Sequence, residues 1–328
     1  MVWKLLVSFA RRGRIALWLI PPVALLYLLV SDISAQRENV SPALLSSPRN
    51  VCMGIAADLQ FRSVYTFVAS YRRYVASSDA DLVLFVTKTD LQKPEINKLR
   101  QRFPLSLVTY DEGYLAPHQL KYHPTTYRYS LYLNYLRNTS VPYSSVLIID
   151  VRDSFFQDNP FTAITEPGFY AVQEPAVLTV GKCPWTSGWV RDCFGEEMLK
   201  SVQHRYLVCS GSSIATLGEM LVYLELMTSH MFNNPCERFG IDQGVHVVLA
   251  YTGKIPFLHI STHENGLYGT LGLAKYVDRD EFGNVLNEKG EVYKFIHQYD
   301  RKEFMVKMLS EMYPLRNISR DHNPVTKP

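Results

Sequence analysis

The run Ser144-Ser145-Val146-Leu147-Ile148-Ile149-Asp150-Val151-Arg152-Asp153 decides the fold, because an uninterrupted apolar, β-branched stretch empties directly into two carboxylates. Such a run, without polar alternation, suits a parallel strand covered on both faces. In open α/β sheets the ligand lies beyond the carboxyl ends of the strands, which puts Asp150 and Asp153 at the rim of a crevice. Two hard oxygen donors there suit Mg²⁺ or Mn²⁺ facing a diphosphate. A plainer reading stands beside this one, in which Asp150 caps the next turn and Asp153 pairs with Arg152.

Upstream of this run, strand and helix patterns alternate. Residues 51–57 read as a buried strand, 61–74 as a helix, 81–87 as a second strand, 91–102 as a second helix and 105–110 as a third strand. A longer helix over 124–136 leads into the carboxylate strand. This order predicts an α/β fold, a Rossmann-like, mostly parallel sheet with helices on both faces and right-handed crossovers. No Gly-x-Gly-x-x-Gly follows the first strand and no P-loop glycine pattern occurs, so a diphosphate would be held by a metal instead of a backbone nest.

Residues 15–30 are apolar apart from Pro21-Pro22 and the interfacial Tyr27, and they follow Lys4, Arg11, Arg12 and Arg14. Sixteen helical residues rise about 24 Å, short of an average ~30 Å hydrocarbon core but close to what thin early secretory membranes need. The basic flank stays cytosolic, which makes 15–30 a type II signal anchor. A cleaved signal peptide ending at Ile33-Ser34-Ala35 is the rival reading. The organisation expected is a cytosolic tail over 1–14, the anchor, a Ser/Pro-rich stem over 31–50, one domain over 51–320 and a short tail over 321–328. In a lumenal setting Asn138-Thr139-Ser140 and Asn317-Ile318-Ser319 are glycosylation acceptors, whereas Asn39-Val40-Ser41 is compromised by Pro42. The five cysteines suggest Cys183 with Cys193 and Cys209 with Cys236, leaving Cys52 as a buried thiol; five reduced cysteines are the alternative. A net charge of +3 with scattered basic residues argues against a nucleic-acid partner.

The anchor, the stem and the alternating first half combine with three further segments. These are Leu147-Ile148-Ile149-Asp150-Val151-Arg152-Asp153 with the trailing Phe155-Phe156-Gln157-Asp158-Asn159-Pro160-Phe161, then Gly240-Ile241-Asp242-Gln243-Gly244, then Ile296-His297-Gln298-Tyr299-Asp300-Arg301. Together they resemble the GT-A class of nucleotide-sugar-dependent glycosyltransferases, many of them type II proteins of the Golgi membrane. The resemblance spans most of residues 51–301. In that class an Asp-x-Asp at the end of a central strand binds Mn²⁺ and the sugar nucleotide, and a later His often supplies a third ligand.

The resemblance implies transfer of a sugar from a nucleotide sugar, a UDP-sugar by default, to a glycan, glycoprotein or glycolipid acceptor in the secretory pathway. It implies Mn²⁺ (or Mg²⁺) held by Asp150, Asp153 and His297, with Asp150 as ligand or ribose contact. Asp-Val-Arg-Asp is one residue longer than Asp-x-Asp, so either Asp153 replaces the usual second carboxylate or only one of the pair binds metal directly. Asp242 is the expected group near the anomeric centre, with a helix N-cap as its plainer role. Asp242 or Glu264 would be the base of an inverting reaction, and Gln243 or Asp242 would steady the sugar in a retaining one. Ala56, Ala57 and Asp58 would receive the nucleobase, Gly211 would permit close backbone approach to the donor sugar, and Arg128 would reach a phosphate or lie on the surface. Trp185 and Trp189 would pack on an acceptor sugar or in the core. Proteins of this anchored form can pair as homodimers through their membrane segments. A lumenal binding or scaffold protein on a degenerate transferase fold is the alternative. A metal-dependent phosphoester hydrolase would need a second ligand cluster, which the sequence does not show.

Overall fold

Strand β4 (Tyr143–Ile149) alternates between two cores: Val146 and Ile148 face one, Leu147 and Ile149 the other, and all four are at most 3% exposed. The structure is a computed structural model that describes residues 48–110, 114–233 and 240–319. The expected tail and anchor, and the stem up to residue 47, lie outside the described residues. Among the described residues no helix is long and apolar enough to cross a membrane.

The neighbours of β4 follow the same period-two rule. In β1 (Arg49–Ile55), Val51 and Met53 enter the first core and Cys52 the second. With β2 (Ala80–Val86), β3 (Ser106–Thr109), β6 (Phe169–Gln173), β7 (Val208–Thr216) and β8 (Leu258–Ser261) they form a seven-stranded sheet of order β3-β2-β1-β4-β7-β6-β8. Only β7 runs against the others, pairing antiparallel with β4 and β6. The expected mostly parallel sheet is therefore present. Helix α1 (Phe61–Tyr74) covers one face through Val64, Phe67, Val68 and Tyr71. The other face is covered further along the chain by α4 (Pro124–Asn138), α7 (Leu217–Asn233) and α8 (Ile241–Tyr251).

The second expected helix is two pieces, α2 (Lys88–Leu91) and α3 (Pro94–Arg102). A reciprocal capping box between Thr87 and Asp90 starts the first early, and Pro94, which cannot donate its backbone nitrogen, starts the second as its N1 residue. Two short helices, α5 (Pro184–Phe194) and α6 (Glu196–Val202), follow β6.

Neither expected disulfide forms, because Cys183 and Cys209 are free thiols, as is the buried Cys52. Cys183 is the N-cap of α5 and Cys193 lies in its last turn. Ten helical residues rise about 15 Å, twice the Cα separation that a disulfide spans. Cys209 sits within β7, facing the second sheet, and Cys236 lies outside the described residues. Asn138 is exposed at the end of α4, where a sequon is reachable.

A three-stranded sheet, β5 (Ser154–Phe156), β10 (Phe295–His297) and β9 (Tyr268–Thr270), stands beyond the carboxyl end of β4. Its register sets Ser154 and Thr270 on either side of His297. The small sheet thus carries a residue from the far end of the domain to the place where β4 empties.

Candidate metal centre

Between β4 and β5 lie only four residues, Asp150, Val151, Arg152 and Asp153. Val151 turns into the second core, 1% exposed, directly over Gly54 of β1, where a Cβ would collide with it. With Val151 fixed, Asp150 on one side and Asp153 on the other converge on His297. His297 Nε2 lies 3.5 Å from Asp150 Oδ2 and 3.4 Å from Asp153 Oδ1. One ligand atom from each of the three fits within 4.8 Å of the others. The extra residue in Asp-Val-Arg-Asp is thus absorbed by the buried Val151 and both carboxylates reach the cluster.

Each carboxylate gives one oxygen to an arginine and turns the other towards His297. Arg128 of α4 donates from Nη1 to Asp150 Oδ1 and from Nη2 to Asp242 Oδ2 at 2.7 Å. Arg152 donates to Asp153 Oδ2 at 2.7 Å. Asp153 Oδ1 is left as a buried acceptor without a hydrogen-bond partner. Burial pushes the Asp153 carboxyl up, but His297 and Arg152 outweigh it and bring it down to about 2. Asp150 follows the same pattern, with Arg128 the main counterweight to burial, and lies below the ordinary carboxylate range. For His297, burial favours the neutral ring, yet Cys209, Asp153 and Asp150 together hold it well above the ordinary imidazole range.

Strand β7 supports this cluster through consecutive residues. Asp150 N donates to Gly211 O at 2.8 Å, and a Cβ at Gly211 would strike both the His297 ring and the Asp150 carboxylate. Gly211 therefore does permit a close approach, and the groups that approach it are the triad's own side chains. Ser210 Oγ donates to Asp242 Oδ2 at 2.9 Å, and Arg128 Nη2 also donates to Ser210 O at 3.2 Å. Gln243 accepts from Ser210 N at 2.9 Å and donates to Val208 O, so its amide grips β7 from the first turn of α8.

Asp242 is not the cap of α8. Gly240, in the left-handed region, is the N-cap, and Asp242 is buried against Arg128, Ser210 and Tyr129. Arg128 is likewise buried, not on the surface, and its pairing with Asp150, Tyr129 and Asp242 overcomes desolvation to hold its charge firmly. Ala56 is buried at the carboxyl end of β1 and Ala57 partly so, while Asp58 is exposed in a left-handed turn (φ 56°) whose N–H donates to Asp90 Oδ2 at 3.1 Å. Trp189 packs under Gly240 and Gly244 of α8, and Trp185 one turn away is 72% exposed.

Glu264 stands outside the triad and lines a cavity of about 410 Å³ with His263, Leu271, Tyr276, Glu288 and the segment 175–177. That cavity adjoins the triad: Leu271 N donates to His297 O at 2.9 Å, and Pro175 follows Glu174. Glu174 escaped the sequence reading. It is a partly buried carboxyl just past the end of β6, raised by burial and drawn down in part by the His297 charge. Its signal was the one that marked Asp150, a strand ending in a carboxylate, but followed by Pro175.

No protein-family model matches the sequence, and no curated protein matches it. A crystal structure of the galactosyltransferase LgtC in complex with donor and acceptor sugar analogs aligns with a TM-score of 0.50 at 10% identity, covering 84% of this chain and 98% of that one. A structure of an active-site mutant of LgtC aligns with a TM-score of 0.50 at 8% identity over the same shares. The chain has a GT-A fold. In a GT-A fold the carboxyl end of the central strand faces the ligand crevice, which is where Asp150, Asp153 and His297 meet.

Proposed function

We propose that this protein is a metal-dependent glycosyltransferase that moves a sugar from a nucleotide sugar, a UDP-sugar by default, to a glycan or glycoconjugate acceptor. The observation that carries the reading is the Asp150, Asp153 and His297 cluster at the crevice end of β4, with one buried carboxylate oxygen that has no hydrogen bond. Two carboxylates and an imidazole suit Mn²⁺ or Mg²⁺. Bound there, a divalent ion would stabilise the charge that develops on a leaving nucleoside diphosphate.

The chain's own residues account for the rest. Asp153 offers Oδ1 because Arg152 occupies Oδ2, and Asp150 offers Oδ2 because Arg128 occupies Oδ1. His297 offers Nε2 once that nitrogen has lost its proton, so metal loading opposes the raised proton affinity of the ring. Arg128 and Asp242 hold each other at the inner wall, where a donor sugar's hydroxyls would meet fixed donors and acceptors. The cavity beside Glu174 would take the acceptor, with Glu174 and Glu264 as the carboxylates nearest an incoming hydroxyl. The anchor over 15–30 would place this chemistry in the lumen of the Golgi, on a single-pass type II protein.

Thermal unfolding of the purified protein against nucleoside diphosphates, with and without Mn²⁺, tests the reading. A ligand at about 100 times its dissociation constant stabilises a fold by roughly 2.7 kcal/mol. A metal-dependent shift with one nucleotide, lost in Asp153→Ala and in His297→Ala, is expected. A folded protein that responds to no nucleotide would favour a binding or scaffold role, and release of free sugar in the presence of acceptor would favour a hydrolase.

A further inference from the structure

A histidine that ligates through Nε2 carries its proton on Nδ1, and in a buried site that N–H needs an acceptor. Ligand histidines usually find one in a carboxylate or a backbone carbonyl. Here the atom facing His297 Nδ1 is the sulfur of Cys209, 3.4 Å away. Both residues are buried, His297 at 2% and Cys209 at 3% exposure, and the thiol is free. Strand alternation explains the placement. Val208 and Ser210 of β7 face α8, where Gln243 and Asp242 hold them, so Cys209 and Gly211 face the opposite side, against His297.

We propose that Cys209 is a positioning residue for His297: Nδ1–H donates to the sulfur, which fixes the ring with Nε2 towards Asp150 Oδ2 and Asp153 Oδ1. The assignment rests on the metal reading above and deepens it. Its independent support is the orphaned Asp153 Oδ1, which faces the same Nε2 and calls for a ligand at that point. A cysteine sulfur is a softer hydrogen-bond partner than the carboxylate or carbonyl usually found behind a ligand histidine. Cys209 therefore serves to orient the His297 ring. The three side chains would then present one ligand atom each to a divalent ion.

The test is Mn²⁺ affinity of the full-length protein, read by electron paramagnetic resonance, for the unaltered chain and for Cys209→Ala, Cys209→Val and Cys209→Ser. Removing the partner behind a ligand typically costs about 10–100-fold in metal affinity. Cys209→Ala and Cys209→Val should both show that loss, Val because it keeps the volume and lacks an acceptor. Cys209→Ser, whose hydroxyl can accept the Nδ1 proton, should recover most of the affinity. Unchanged affinity in Cys209→Val, or equal loss in Val and Ser, would overturn the assignment. Asp153→Ala separates the two layers. If it abolishes Mn²⁺ binding while Cys209→Val does not, only the role of Cys209 fails; if Asp153→Ala binds Mn²⁺ as the unaltered chain does, the metal reading fails and takes this assignment with it.

Discussion

The two flanks of the triad are made from the same pair of groups and differ in what surrounds them. On the inner flank Arg128, its side chain 8% exposed, bridges Asp150 to an Asp242 that is 6% exposed. On the outer flank Arg152, 53% exposed, touches Asp153 and more distantly Asp300. The outer arginine itself stands in water, which screens its pairing even though Asp153 is 2% exposed. Water cannot reach the contact between Arg128 and Asp242, so loss of Arg128 leaves the buried Asp242 carboxylate without its cation. The inner flank therefore sets geometry, and the outer flank trims charge on an oxygen that is already placed.

The largest effect expected from this difference is in Arg128→Ala, which should destabilise the fold by about 3–5 kcal/mol in a denaturant titration. An equal cost in Arg152→Ala would break the comparison. Next comes the reach of the inner flank. His246 of α8, fully buried with its Nδ1 2.8 Å from the Tyr223 hydroxyl, is pushed down to about 3 by burial and then by the Arg128 charge. The ring is neutral in the fold and binds a proton more readily when unfolded, so stability should fall as pH drops from about 6.5 towards 3, by roughly a few kcal/mol. The urea midpoint against pH measures this, and His246→Gln should flatten the curve.

Gly211→Ala should cost about 1–3 kcal/mol by overpacking, and it should weaken Mn²⁺ binding, because the new methyl group displaces His297 and Asp150. Calorimetry on metal-free and metal-loaded protein would separate the two. The smallest effect belongs to Arg152→Ala, at roughly 0–1 kcal/mol, with the fold unchanged. A larger loss there would mean that the outer flank also carries structure.

How much of this was legible in the sequence depends on how local each feature is. The β4 strand and its two carboxylates can be read because one continuous run specifies both the strand and its end. The helix at Phe61–Tyr74 is legible from its apolar spacing, while the break at Pro94 needed the proline to be weighed above the periodicity on either side. His297 is reached only through resemblance, since nothing near it in sequence marks a ligand. The Arg128 to Asp242 bridge joins residues 114 positions apart, and no local pattern reports it. The pairing of Cys183 with Cys193 failed because spacing along the chain says nothing about a helix between two cysteines.

The small sheet has a consequence for how the protein is made. Its strand β10 delivers His297 only after nearly the whole domain has been synthesised, whereas β1, β2, β3 and β4 are in place long before. A nascent chain can thus build its parallel half while Asp150 and Asp153 still lack their third partner. During that interval each carboxylate has an arginine as its charge partner, Arg128 for Asp150 and Arg152 for Asp153. Truncation just before β10 should leave a folding intermediate with a sheet and no metal site, a species that quality control in the cell could recognise and that a divalent ion could not rescue.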